Sequence, residues 1–242
     1  MGIKQVIKRS DKFVRAEIIL SALAVAIPQV AMSQASALEE VIVTAERRAQ
    51  DAQDVPLALT IIDGSAISPA GISSISDVAL KTPNLTYTQF NIGEPQLFLR
   101  GLGTTIDSAG ADPTVSVFID DVYVGRSAGA TSDLYDLERI EVLRGPQGTL
   151  YGRNVTGGAI SIVTKKPSRE YQAKLGATAG NYGLTIFRGL IDGPLGENMA
   201  GNLSFSKRDR NGYAYSNISG QGLDDADNLS LRGKLLWDIS DN

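Results

Sequence analysis

Between Ile140 and Pro167 the chain reads IEVLRGPQGTLYGRNVTGGAISIVTKKP, and no other stretch limits its folding options so tightly. Five glycines, Gly145, Gly148, Gly152, Gly157 and Gly158, lie between two β-rich runs. Glycine admits backbone angles and close approaches that are closed to other residues. One strand ends in Arg144-Gly145-Pro146, a Gly-rich crossing follows, and a second strand runs from Ala159 to Thr164. The segment predicts a tightly folded, turn-dense element.

The rest of the chain must accommodate that element. Its 242 residues suffice for one or two domains. With 43% hydrophobic and 21% charged residues it is neither a disordered chain nor a helical membrane protein. No apolar run beyond the N-terminus reaches the ~18 residues of a spanning helix, so any membrane insertion would be by strands. There is no cysteine and no histidine. Disulfides, thiolate and imidazole metal sites and a Ser-His-Asp arrangement are thereby excluded, while an all-carboxylate site stays open.

Residues 1–17 form a basic region, Ile18–Ile27 a short apolar core, and Pro28 breaks it. Ala35-Ser36-Ala37 has the small-x-small pattern of a cleavage site, so residues 1–37 read as a secretory signal peptide. Removing its five basic and two acidic residues leaves 18 basic against 25 acidic, a net of -7 from a starting value of -4. An acidic chain of this kind is a poor nucleic-acid binder. Behind the cleavage site, Val41, Ile42, Val43 and Thr44 are β-prone, with no evident partner strand nearby. The polar run to Asp54 reads as a tether, and a β-prone segment on a tether suits strand addition onto another protein's sheet edge.

From 55 to 167 the pattern is α+β. Leu57–Ile62 reads as a strand. Ser74-Ile75-Ser76-Asp77 has capping-box spacing, Ile72, Ile75, Val78 and Ala79 recur at helical intervals, and Pro83 stops that helix. Leu85–Phe90 and Gln96–Arg100 read as strands, and Val115–Ile119 and Val122–Val124 flank an Asp120-Asp121 hairpin turn. Those two carboxylates are also the spacing of a Ca²⁺ or acid–base pair, although Asp more commonly serves turns. Ser132 and Asp133 are placed to cap a further short helix through Leu137, before a strand at Ile140–Leu143. The sum is a small mixed sheet with two short helices.

From 168 to 242 the period changes to two. Apolar or small residues at Tyr171, Ala173, Leu175, Ala177 and Ala179 alternate with Gln172, Lys174, Gly176 and Thr178. Leu229, Leu231, Gly233, Leu235, Trp237 and Ile239 do the same later, with Leu184–Ile191 and Met199–Lys207 between. Alternation over segments of this length is the signature of transmembrane β-strands. A short Gly193–Asn198 turn and a long Asp209–Asp227 loop set strands one and three running outward, two and four inward. Trp237, Tyr171, Tyr213 and Tyr215 fit aromatic girdles. Four strands cannot close a membrane barrel, whose smallest bacterial forms have ~8.

These motifs together resemble the N-terminal part of the TonB-dependent outer-membrane receptors. The resemblance rests on Phe98-Leu99-Arg100-Gly101-Leu102-Gly103, on Val117 to Val124, on Leu134 to Pro146, and on Leu150-Tyr151-Gly152 followed by Gly157-Gly158-Ala159-Ile160. It implies an α+β plug domain over 55–167, followed by the first four strands of an antiparallel transmembrane β-barrel over 168–242. Glu40, Val41, Ile42, Val43, Thr44 and Ala45 resemble the TonB box, which implies pairing with the periplasmic domain of TonB in the TonB-ExbB-ExbD system. The implied plug motif comprises Arg100, Gly101, Arg144, Gly145, Pro146, Gly148, Tyr151, Gly152, Arg153, Gly157 and Gly158. Its arginines Arg100, Arg144 and Arg153 are expected to face acidic residues on the barrel's inner wall, mostly beyond this sequence. The implied activity is energised transport of a scarce ligand across the bacterial outer membrane, most often a ferric siderophore, otherwise cobalamin or a glycan. It involves no enzyme chemistry, cofactor or bound metal. The rival readings are a secreted plug-like binding or signalling module without a barrel, a carboxylate hydrolase, and a simple porin or adhesin.

Overall fold

The computed structural model describes residues 42–43, 50–51, 57–91, 94–105, 111–126, 129, 133–218, 220 and 222–239. The expected signal peptide, Glu40, Val41, Thr44, Ala45, most of the expected tether and Ser132 lie outside these residues. The strands are β1 (Ile42–Val43), β2 (Gln50–Asp51), β3 (Ala58–Asp63), β4 (Leu85–Asn91), β5 (Glu94–Leu99), β6 (Leu102–Gly103), β7 (Val115–Ile119) and β8 (Val122–Tyr123). They continue as β9 (Leu137–Arg144), β10 (Gly158–Thr164), β11 (Gln172–Ala179), β12 (Thr185–Pro194), β13 (Met199–Arg210), β14 (Ala214–Tyr215), β15 (Gly222–Leu223) and β16 (Ala226–Trp237). Three short helices are α1 (Gly64–Ile67), α2 (Ile75–Lys81) and α3 (Gly148–Tyr151).

A five-stranded sheet of order β3-β9-β10-β7-β8 forms the N-terminal layer, and β10 runs parallel to β7 while every other neighbour is antiparallel. Its inner strand β9, between β3 and β10, is buried on both faces, which explains the near-continuous apolar run from Ile140 to Leu143. On one face Ile140, Val142 and Ile160 pack with Ile75 and Val78 of α2 and with Leu97 and Leu99 of β5. On the other, Leu143 and Ala159 pack with Phe118, Tyr151 and Val155. The helix α2 forms as its sequence predicts. Asp77 Oδ2 accepts from the backbone amides of Ser73 and Ser74, both at 2.9 Å, and closes the capping box.

The predicted helix from Asp133 to Leu137 is absent. Asp136 takes a positive φ of 50°, which breaks helical progression, and β9 begins at Leu137. Leu134 and Tyr135 are buried instead of lying on a helical surface. Asp120 and Asp121 form the hairpin turn as expected, with φ of 48° and 65°, the two left-handed residues of a type I′ turn. Ile42–Val43 does have a partner, since it pairs antiparallel with Gln50–Asp51. The sequence pattern missed that pairing because Gln50 and Asp51 carry no β signal.

The Gly-rich crossing reads as predicted, with α3 as an added turn of helix. At Gly158, where φ is 150°, an added Cβ would lie 2.3 Å from the Leu143 carbonyl oxygen. Only a residue without a side chain lets β10 approach β9 there.

Residues 172–237 form a four-stranded antiparallel meander of order β11-β12-β13-β16. Its cross-strand rows are continuous. Leu175, Gly189, Phe205 and Leu231 share one face, while Lys174, Leu190, Ser204 and Arg232 share the other. The first face stays exposed: Leu203, Leu231, Leu235 and Trp237 are all open to the surroundings. The second face covers the N-terminal layer and buries Ala200, Asn202, Ser204 and Ser206. An apolar exterior over a polar, covered interior is the arrangement of a membrane-barrel wall.

Candidate functional site

The covered face of the meander meets the five-stranded sheet along a seam of charge pairs. From the N-terminal side come three carboxylates, Asp120 of the β7–β8 turn and Asp133 and Asp136 of the segment before β9. From the wall come Arg208 and Asn202 of β13 and Arg232 and Lys234 of β16. The two-residue alternation of the wall strands places all four on one side.

Lys234 Nζ lies 3.0 Å from Asp120 Oδ2 and donates to the carbonyls of Thr164 and Lys165 at 3.1 and 3.2 Å. Asp120 also accepts from Thr164, at 2.8 Å from its amide and 2.6 Å from its hydroxyl. Burial by itself would raise the Asp120 carboxyl's pKa, but the hydrogen bonds from Thr164 and Lys234 prevail and hold it below its ordinary value. One side chain thus ties the turn both to β10 and to the wall.

The other two carboxylates are more deeply placed. Asp133 is almost fully enclosed, accepts from Ser206 Oγ at 2.9 Å and faces Arg208 Nε at 3.4 Å. Asp136 accepts from Asn202 Nδ2 at 3.2 Å and faces Arg232 Nη2 at 3.6 Å. That same guanidinium donates to the carbonyls of Tyr135 and Asp136 and lies 4.9 Å from the Tyr135 ring centroid. The Tyr135 hydroxyl donates to the carbonyls of Ser204 and Ser230, both at 3.3 Å. Where the chain passes from layer to wall, the Ser168 amide donates to Asp192 at 2.9 Å.

The charges of this seam run opposite to the pairs expected of Arg100, Arg144 and Arg153, whose wall partners are expected mostly beyond this sequence. Among the described residues the carboxylates belong to the N-terminal layer and the cations to the wall. Arg100 sits exposed in a left-handed turn with Gly101, Arg153 is also exposed, and Arg144 donates to Thr60 within its own sheet. Tyr151 is buried, edge-on to Phe118 with ring centroids 4.9 Å apart. Gly145 and Gly152 take positive φ at the ends of the crossing, so this group of motif residues builds the element rather than the seam. Gly148 begins α3, Pro146 precedes it, and Gly157 leads into β10.

Asp133 was read from sequence only as a helix cap, and Asp136, Arg208, Arg232 and Lys234 were not singled out. One signal was available: Arg232 and Lys234 occupy alternate positions in a strand whose other face carries Leu229, Leu231, Leu235 and Trp237, and cations repeated on one strand face require acceptors opposite. The seam is a set of reversible polar fastenings. Among the described residues no cluster of acidic side chains is arranged to hold a metal ion.

Comparison with known proteins bears on the same region. Residues 51–159 match the family described as TonB-dependent Receptor Plug Domain. The chain is 29% identical over 177 residues to the ferripyoverdine receptor of Pseudomonas aeruginosa, covering 71% of this chain and 21% of that receptor. It is 26% identical to the vitamin B12 transporter BtuB of Photobacterium profundum, over 77% of this chain and 30% of the transporter. Among solved structures, the ferric yersiniabactin uptake receptor FyuA of Yersinia pestis superposes with a TM-score of 0.63 at 24% identity, over 74% of this chain and 28% of FyuA. The FpvAI–pyocin S2 complex gives 0.67 at 23% identity, over 81% of this chain and 25% of the other. The chain thus spans less than a third of the length of each.

Proposed function

Because the chain belongs to the TonB-dependent outer-membrane receptor family, we propose that it is the N-terminal part of an active transporter that brings a scarce ligand across the outer membrane. The observation that carries this reading is the seam. It fastens an α+β plug to the inner, polar face of a sheet whose outer face is apolar and uncovered. A plug held by polar pairs closes a pore at rest, and a shift of the plug requires those pairs to be exchanged for others.

In this reading residues 1–37 direct export, 38–54 carry the TonB box and its tether, 55–167 form the plug, and 168–242 begin the barrel. Glu40 to Ala45 add as a strand to the periplasmic domain of TonB, whose ExbB-ExbD partners supply energy from the inner membrane. The β1–β2 pairing engages the middle of that box, so coupling requires it to open. The ligand is a ferric siderophore, a reading supported by the name of one relative, the catecholate siderophore receptor Fiu of Escherichia coli. Arg100, Arg144, Arg153 and the motif glycines keep the plug's turns in shape, and no bond of the ligand is made or broken.

The test is uptake of a radiolabelled ferric siderophore by iron-starved cells expressing the complete open reading frame. Uptake is expected to need the proton-motive force. Val43→Pro, which removes a backbone donor from the box, is expected to abolish uptake while surface binding persists. Uptake unaffected by Val43→Pro would overturn the coupling role.

A further inference from the structure

Between α2 and the covered face of the meander lies a cleft of about 450 Å³, within the usual size of small-molecule sites. Arg188 of β12 and Arg208 and Arg210 of β13 line its wall side, and Ser73, Ser74 and Asp77 line the side of α2. Three guanidinium groups thus share one cavity with a single lining carboxylate. One oxygen of that carboxylate is occupied: Asp77 Oδ2 accepts from the amides and hydroxyls of Ser73 and Ser74.

Two of the arginines have partners. Arg208 pairs with Asp133 and donates to Ser73 Oγ. Arg210 donates to the Asp224 carbonyl, and its guanidinium lies 5.1 Å from the Tyr213 ring centroid. Arg188 differs. Its Nε and Nη2 are shut off from solvent and meet no acceptor among the described residues. The charges acting on it are Asp133, whose oxygens already serve Arg208 and Ser206, and Arg208 itself, which repels it. A buried donor without an acceptor is costly, and so are like charges brought together away from water.

We propose that this cleft is a binding site for a small oxyanion, the phosphate or carboxylate group of a soluble molecule. An oxyanion supplies the acceptors Arg188 lacks, screens it from Arg208, and matches the forked geometry of guanidinium donors. The Ser73 and Ser74 side chains complete a polar floor. The site depends on the cleft alone and stands whether or not the chain's transported ligand is a ferric siderophore.

The test uses the protein encoded by the complete open reading frame, purified in detergent at low ionic strength so that screening does not mask the interaction. Inorganic phosphate and, separately, acetate are titrated by calorimetry. Saturable binding of either anion is expected, and the stronger of the two identifies the group. Arg188→Gln is expected to weaken it about 10- to 100-fold, as befits loss of a charged hydrogen-bond partner. Should that variant fail to fold, Arg210→Gln, at the same cleft, is expected to weaken binding likewise. Lys174→Gln, on the same sheet face but outside the cleft, is expected to leave binding unchanged. Absence of saturable binding by both anions overturns the proposal. So does undiminished affinity in the folded arginine variants, or an equal loss with Lys174→Gln, which would mark a diffuse charge effect.

Discussion

Asp120 carries an unusual share of the seam for one side chain. It shapes a hairpin turn, caps the end of β10 through Thr164, and receives Lys234 from the wall. Because its folded-state pKa is depressed, its contribution is fully present above the unfolded value near 3.8 and is lost as pH falls through the lower folded value. Asp120→Asn is therefore expected to lower stability near neutral pH, by about 0.5–1 kcal/mol once its partial exposure is allowed for. The difference from the unaltered protein should shrink as pH falls below 3.8 and through the lower folded value, as followed by thermal melting across pH. Gly158 gives a prediction of another kind. Its replacement by Ala drives a methyl into the Leu143 carbonyl at a backbone angle that side chains rarely take, and should destabilise by about 3 kcal/mol or more in denaturant melts.

Among the elements, α2 is the one most fully written in its own sequence. Periodic Ile75, Val78 and Ala79, the Ser74–Asp77 box and Pro83 are local signals, and each does locally what it predicts. Asp77→Ala removes four hydrogen bonds from Ser73 and Ser74 and is expected to cost about 1–2 kcal/mol, read as a lowered melting temperature. The wall strands were legible for a similar reason, since alternation is a nearest-neighbour property. The segment at Asp133 was misread because Ser and Asp before an apolar run signal a helix cap and a tight turn alike. What decided it was burial of Leu134 and Tyr135 against strands distant in sequence. The seam was illegible for the same cause. Arg232 with Asp136 and Lys234 with Asp120 are pairings across the fold, and no local pattern specifies which of several cations meets which carboxylate.

At the scale of the molecule, the two faces of the meander make opposite demands. Leu231→Arg, in the middle of the exposed apolar row, is expected to cost about 2–4 kcal/mol when the complete receptor folds into lipid vesicles. Ser230→Ala, on the neighbouring covered row, should cost far less, as measured by the denaturant dependence of folded fraction. The order β3-β9-β10-β7-β8 has a further result, and it concerns time. Ala58 pairs with Arg144, so β3 is synthesised long before its only neighbour in the sheet exists, whereas β12 and β13 each pair across a short connection with the strand made just before them. Non-local closure is slow and hairpin zipping is fast. The β11–β12–β13 hairpins are thus expected to form ahead of the β3–β9 closure, and assembly of the interior is expected to lag behind that of these wall strands.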